Sequence, residues 1–164
     1  MRIIARMFHP EITVAAVTET DGRFLVVEER IERRLVINQP AGHVEAGETL
    51  LEAIIREVRE ETAWGFTASE LLGVYLWRHP GTGRTTKRFA FIGAVANFND
   101  QKLDAGIVGT HWLTRAELKR REPQLRSPLV LRCIDDYLAG QRRPLSAAAD
   151  LDLGSALAVA AVGL

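Results

Sequence analysis

The sequence predicts an α/β fold in which a mixed β-sheet lies between helical layers. Three observations predict it. Short β-rich runs bounded by turn residues alternate with segments of helical spacing. Two capping boxes, Thr49 with Glu52 and Thr114 with Glu117, open helices in the middle and the later part of the chain. The length, 164 residues of which 47% are hydrophobic and 26% charged, suits one ordinary domain with a real core. One domain is therefore expected over residues 1–164, with its core at about 8–145 and an Ala-rich tail at 146–164.

Taken in order, residues 12–17 and 23–29 read as strands. Thr20-Asp21-Gly22 is a turn signal between them, so they are expected to pair as a hairpin. Residues 35–38 form a short strand running into a Pro40-Ala41-Gly42 loop. The first helix follows Thr49, with Leu51, Ile54, Ile55, Val58 and Thr62 at helical spacing as one inward stripe. Residues 71–78 and 86–95 are strands joined by a solvent loop that carries Pro80, Gly81 and Gly83. Residues 109–113 look like the last strand. Ser127 and Pro128 supply the N-cap and first helical residue of a helix running to about Leu138, with Gly140 as its stop. Beyond Pro144 the Ala-rich tail packs on the body, meets a partner chain or hangs loose.

Charge and composition exclude several classes. Twenty-one basic residues balance 21 acidic ones, so nothing global favours a nucleic acid or a membrane surface. No apolar run reaches the length of a membrane span, and the first residues lack a signal-peptide core. The single cysteine, Cys133, sits in an apolar run and reads as a buried, inert thiol. A chain without an internal disulfide suits a reducing cytosol. The expectation is a cytoplasmic protein with no nucleic-acid or membrane partner, a monomer or else a homodimer.

The chemistry concentrates in residues 42–64, GHVEAGETLLEAIIREVREETAW. Glu57, Glu60 and Glu61 stand at i, i+3 and i+4 and share a helix face. Like charges so placed cost about 0.2–0.5 kcal/mol per pair unless something neutralises them. Hard divalent cations are held by carboxylate oxygens and bridge to substrate phosphates. The competing reading is a solvated helix laced by the i,i+4 pairs Glu52–Arg56 and Arg56–Glu60. Glu61 lies nearest the apolar edge and should be the most enclosed of the three.

The wider spacing is more specific. Gly42, Glu48 and the run Arg56-Glu57-Val58-Arg59-Glu60-Glu61, with apolar Trp64, resemble the Nudix box of enzymes that hydrolyse nucleoside diphosphates linked to another group. Ala63 stands where that box has glycine. A left-handed alanine costs about 1–2 kcal/mol, so the helix end could shift and let Gly65 close it.

The resemblance implies a Nudix α/β/α sandwich and a magnesium site, with manganese as a substitute, on Glu57, Glu60, Glu61 and the backbone carbonyl of Ala41. Glu48 is an outer ligand candidate. Glu57 is also a candidate to activate water, and Arg56 to orient a carboxylate. An acidic residue from a loop before the last strand often joins such sites; here Asp104 could serve, against a plain turn aspartate. For substrate, Arg88 and His43 could grip phosphates and Trp77 could stack a ring, against sheet packing for Trp77 and a loop hydrogen bond for His43.

Segments such as FHPEITVAAV, NQPAGHVEAGETL and RSPLVLRCIDDYLAGQRRPL resemble the NudJ-type bacterial phosphatases of that family. This implies release of orthophosphate from nucleoside tri- and diphosphates, and action on the hydroxymethylpyrimidine pyrophosphate precursor of thiamine. A Nudix pyrophosphohydrolase that releases pyrophosphate, or splits a nucleoside-diphosphate derivative, is the first alternative. A non-catalytic nucleotide-binding module is the second.

Overall fold

The computed structural model describes residues 8–148. Among the described residues, eight strands and three α-helices follow in the order β1 (Glu11–Val17), β2 (Glu19–Thr20), β3 (Arg23–Ile31), β4 (Arg34–Asn38), β5 (Ala41–His43), α1 (Leu50–Thr62), β6 (Gly65–Arg78), β7 (Thr85–Ala96), β8 (Ile107–Thr114), α2 (Arg115–Arg120) and α3 (Leu129–Leu138). They build two sheets. The first has the order β5-β1-β7-β6 and is mixed, because β1 and β7 run parallel while the other pairs are antiparallel. In the second, β3 pairs antiparallel with β2, β4 and β8.

Strand alternation sorts the core into two layers. Val14, Ala16 and Phe91 face α1, meeting Ala53, Ile54 and Val58. Val17, Ala90 and Ile92 face the other way. There they join Phe24, Val26 and Ile37 of the second sheet, Leu118 of α2, and Leu131, Cys133 and Ile134 of α3. The first sheet is thus sandwiched between α1 and the α2–α3 layer. Cys133 is fully buried, and burial pushes its thiol up to about 11, so it stays protonated.

Several sequence expectations need correction. Residues 12–17 and 23–29 do not form a hairpin. The chain leaves the first sheet at Thr18, and the turn closes only Glu19–Thr20 onto β3. Asp21 and Gly22 both have positive φ, as a tight hairpin turn requires. β1 instead takes a central position, because Val14 to Val17 are apolar on both faces and both faces are buried. The Pro40-Ala41-Gly42 stretch is not all loop: residues from Ala41 onward form β5 against β1. The strand expected at 71–78 begins at Gly65, its register interrupted twice before Gly73.

The first helix also differs in detail. Its capping box is as expected: Glu52 N–H donates to Thr49 Oγ1 at 3.1 Å, and Thr49 N–H to Glu52 Oε2 at 2.8 Å. Its buried face, however, is Leu50, Ala53, Ile54, Glu57, Val58, Glu61 and Thr62, while Ile55 is exposed. The inward stripe is therefore centred closer to the acidic residues than the apolar spacing alone suggests. Nor does the helix end shift to Gly65. Ala63 itself takes the left-handed conformation, φ 62°, and its N–H donates to Arg59 O at 2.9 Å.

Candidate active site

Three elements converge on the buried acidic face of α1. The first is β5. Ala16 N–H donates to Pro40 O at 2.9 Å and Val44 N–H to Ile12 O at 3.2 Å. In an antiparallel ladder that pattern turns Ala41 away from β1. Its N–H donates instead to Glu61 Oε2 at 2.9 Å, and its carbonyl projects to the same side. Beside it, Gly42 has no side chain because none fits: a Cβ built there would overlap the Glu57 carboxylate.

The second element is the loop after β7. A helix leaves its last carbonyls unpaired. Here the loop satisfies them: Gln101 Nε2 donates to Arg59 O at 3.1 Å, Asp104 N–H to Glu60 O at 2.9 Å, and Asn99 N–H to Ala63 O at 2.9 Å. These bonds draw Asp104 up to the end of α1. The third element is β3. Its register against β8 slips between Glu28 and Glu29, a bulge of the kind that re-aims side chains near sites. Glu29, Glu61 and Asp104 then line one cavity of about 430 Å³, together with Arg126.

Glu57, Glu60 and Glu48 belong to a neighbouring network around Arg56. The guanidinium donates to Glu57 Oε1 at 2.9 Å, to Glu60 Oε2 at 3.0 Å, to both Glu48 oxygens, and to the His43 carbonyl at 3.0 Å. Arg56 thereby offsets the repulsion among the carboxylates and fixes the Glu57 rotamer. Glu48, facing Arg56, is held below the usual carboxylate range. Glu57 is pushed above it, chiefly by burial. Glu61 is pushed up to about 9 by burial, against the Ala41 hydrogen bond and with Glu29, Glu57 and Asp104 nearby.

The remaining candidates lie further out. The His43 side chain is exposed and pairs with Glu11, Nε2 to Oε2 at 3.5 Å. Trp77 stands edge-on to His79 and lines a second cavity of about 300 Å³ with Pro128 and Leu131. Arg88 lines neither cavity. It is buried, donates to Gln39 Oε1 at 3.4 Å, and leaves its Nε unpartnered. Two residues at the site are absent from the sequence expectations. Glu29 shares a strand face with Leu25 and Val27, which could have marked it as inward-facing. For Arg126, the only local signal is its place just before the Ser127-Pro128 pair that precedes α3.

A model of the NUDIX domain matches residues 7–133. The chain belongs to the Nudix family. It is 38% identical to the phosphatase NudJ of Escherichia coli (strain K12) over 146 residues, 89% of this chain and 95% of that one. A solved Nudix hydrolase from Nitrosomonas europaea superposes with a TM-score of 0.85 at 44% identity, covering 88% of this chain and 99% of the other. The Nudix domain of Shewanella oneidensis NrtR, solved with ADP ribose, shares the fold at 17% identity with a TM-score of 0.63, covering 81% and 89%. The chain is a Nudix hydrolase, and its α/β/α sandwich is the Nudix fold.

Nudix hydrolases generally use divalent metal ions, and the donor chemistry here fits one. Glu57 Oε2, Glu60 Oε1 and Glu61 Oε1 carry no hydrogen bond among the described residues, and the Ala41 carbonyl faces the same region. As the side chains stand, no three acidic or imidazole groups among the described residues form a ready cluster. Arg56 holds one oxygen each of Glu57 and Glu60 and leaves the other free. No described helix is long and apolar enough to cross a membrane.

Proposed function

We propose that this hydrolase removes orthophosphate from nucleoside tri- and diphosphates with the help of magnesium, and accepts the pyrimidine pyrophosphate precursor of thiamine. The observation that carries the reading is the 38% identity to a phosphatase, extending over 95% of that protein's length. Its support in the site is the set of hard oxygens that Gly42, the Ala41 backbone and Arg56 hold around α1.

Glu57, Glu60, Glu61 and the Ala41 carbonyl would hold the metal, with Asp104 as a further carboxylate beside Glu61. When bound, a divalent ion neutralises phosphate charge and acidifies a water molecule. Glu57, whose position Gly42 and Arg56 fix, would orient that water. Arg56 acts as a positioning residue, holding Glu57 and Glu48 in place. Glu48 is so fully engaged by Arg56 that its role is to brace that guanidinium rather than to bind metal directly.

A time course with a nucleoside triphosphate, resolved by phosphorus NMR, tests the reading. The diphosphate should appear and then decay as orthophosphate accumulates, and chelator should stop both steps. Monophosphate and pyrophosphate without any diphosphate would overturn orthophosphate release and favour a pyrophosphohydrolase. Binding without any product would favour a nucleotide-binding module.

A further inference from the structure

The acidic cavity and the cavity lined by Trp77 share the residue Arg126. Its backbone is pinned. Its N–H donates to Ile37 O on β4 at 2.9 Å, Leu125 bridges to Ile37, and Ser127 Oγ accepts from Leu129 N–H at 3.3 Å, although α3 takes Pro128 rather than the expected Ser127 as its N-cap. Its guanidinium, by contrast, is exposed and makes no hydrogen bond or ion pair among the described residues. This holds although Glu29, Glu61 and Asp104 line the same cavity.

The two ends differ in chemistry. One offers carboxylates, which suit a cation and the phosphates it carries. The other is walled by Trp77, Pro128 and Leu131 and, at about 300 Å³, is at the small end of ligand pockets, room for a single ring system. An arginine fork between them matches a phosphate oxygen pair. Arg88 does not compete for this role, since it is buried behind Gln39.

We propose that Arg126 binds the phosphate nearest the organic group of the substrate, and that the cavity beneath Trp77 receives that group's planar ring. The enzyme then selects a short phosphate chain ending in one aromatic or heteroaromatic ring. This rests on the hydrolase reading above, but its test does not depend on which phosphorus is attacked.

Calorimetry in magnesium, with two analogues that cannot be hydrolysed, reads binding alone. One is α,β-methylene adenosine diphosphate; the other is methylenediphosphonate, which lacks a ring. Wild type should bind the nucleotide analogue about tenfold or more tightly than the diphosphonate, the scale of one stacked ring. Arg126→Ala should weaken both about tenfold. Trp77→Ala should weaken only the nucleotide analogue, and Trp77→Phe should restore most of the loss. Unchanged affinities in Arg126→Ala would overturn the phosphate contact. Equal weakening of both analogues in Trp77→Ala, or no preference in wild type, would overturn the ring site. An intact binding pattern in an enzyme that releases pyrophosphate would leave this inference standing and remove only the orthophosphate reading.

Discussion

Gly42→Ala isolates one steric contact at the centre of the site. Gly42 is not among the residues with positive φ, so alanine meets no backbone penalty there. The new methyl group instead overlaps the carboxylate of Glu57, which is buried and tied to Arg56 at 2.9 Å. The carboxylate must retreat by roughly 1 Å, a displacement that can cost about 10²-fold in rate when the group takes part in catalysis. Overpacking of a close-fitting site costs about 1–3 kcal/mol in stability. Urea unfolding and phosphate release, measured on Gly42→Ala, Glu57→Ala and the double variant, separate the two effects. In the Glu57→Ala background the overlap is gone, so the stability cost of Gly42→Ala should fall below about 0.5 kcal/mol, the limit expected of uncoupled sites. An equal cost in both backgrounds would refute the contact. A single variant with turnover within about threefold of wild type would show that Glu57 need not sit where Gly42 allows it.

Three further outcomes are expected. Ala63→Gly should leave turnover unchanged and raise stability slightly, since relief of about 1–2 kcal/mol of left-handed strain exceeds about 0.4–1 kcal/mol of added unfolded-state entropy. Ala63→Val should destabilise, and thermal melts of both variants with the same sign would contradict the assigned conformation. Glu61, with its pKa at about 9 in the fold, binds a proton that the unfolded chain has already lost, so the metal-free protein should lose stability as pH rises from about 4.3 toward 9. The slope from this group reaches about 1.4 kcal/mol per pH unit. Glu61→Gln should flatten that slope and cut turnover by ~100-fold or more, as loss of one electrostatic stabiliser does; parallel melting curves across pH would sink the burial argument. Removal of the chain after Asp150 should spare catalysis, because Leu145 and Ala148, which pack on the α1 layer, remain. A folded but inactive truncation would place part of the tail in the site. Of the tail at 146–164, residues 149–164 lie outside the described residues.

How much of this was legible in the sequence depends on the range over which each contact acts. The spacing of Glu57, Glu60 and Glu61 is local, so the helix period places them on one side wherever the helix packs. The capping boxes at Thr49 and Thr114 are equally local, and both form. The expected hairpin fails for the opposite reason. The turn at Asp21-Gly22 is real, but the partners of β1 are β5 and β7, and β7 lies some seventy residues along the chain. A turn signal reports how the chain reverses, not which sheet it reverses into. The helix end shows the same limit: a rule about glycine at helix ends cannot foresee that Asn99 and Gln101 bind the carbonyls there and hold Ala63 in its strained conformation.

The same distinction divides the site itself. Of the residues found from spacing, Glu48, Glu57 and Glu60 form the Arg56 network, built within one helix and the loop before it, and Glu61 faces the cavity. The residues that complete the cavity come from elsewhere: Asp104 through carbonyls at the end of α1, Glu29 through a bulge between β3 and β8, Arg126 through a bridge to β4. None of these is a helix neighbour of Glu61; Asp104 and Arg126 arrive through backbone hydrogen bonds and Glu29 through a register shift. Arg88 illustrates the converse. Strand alternation assigns it a face correctly, but that face is buried against Gln39 and α3 rather than open to a cavity. Alternation separates two faces and does not say which of them meets solvent. The carboxylates of α1 are thus placed by local spacing, whereas the rest of the cavity depends on how the two sheets and α3 come together.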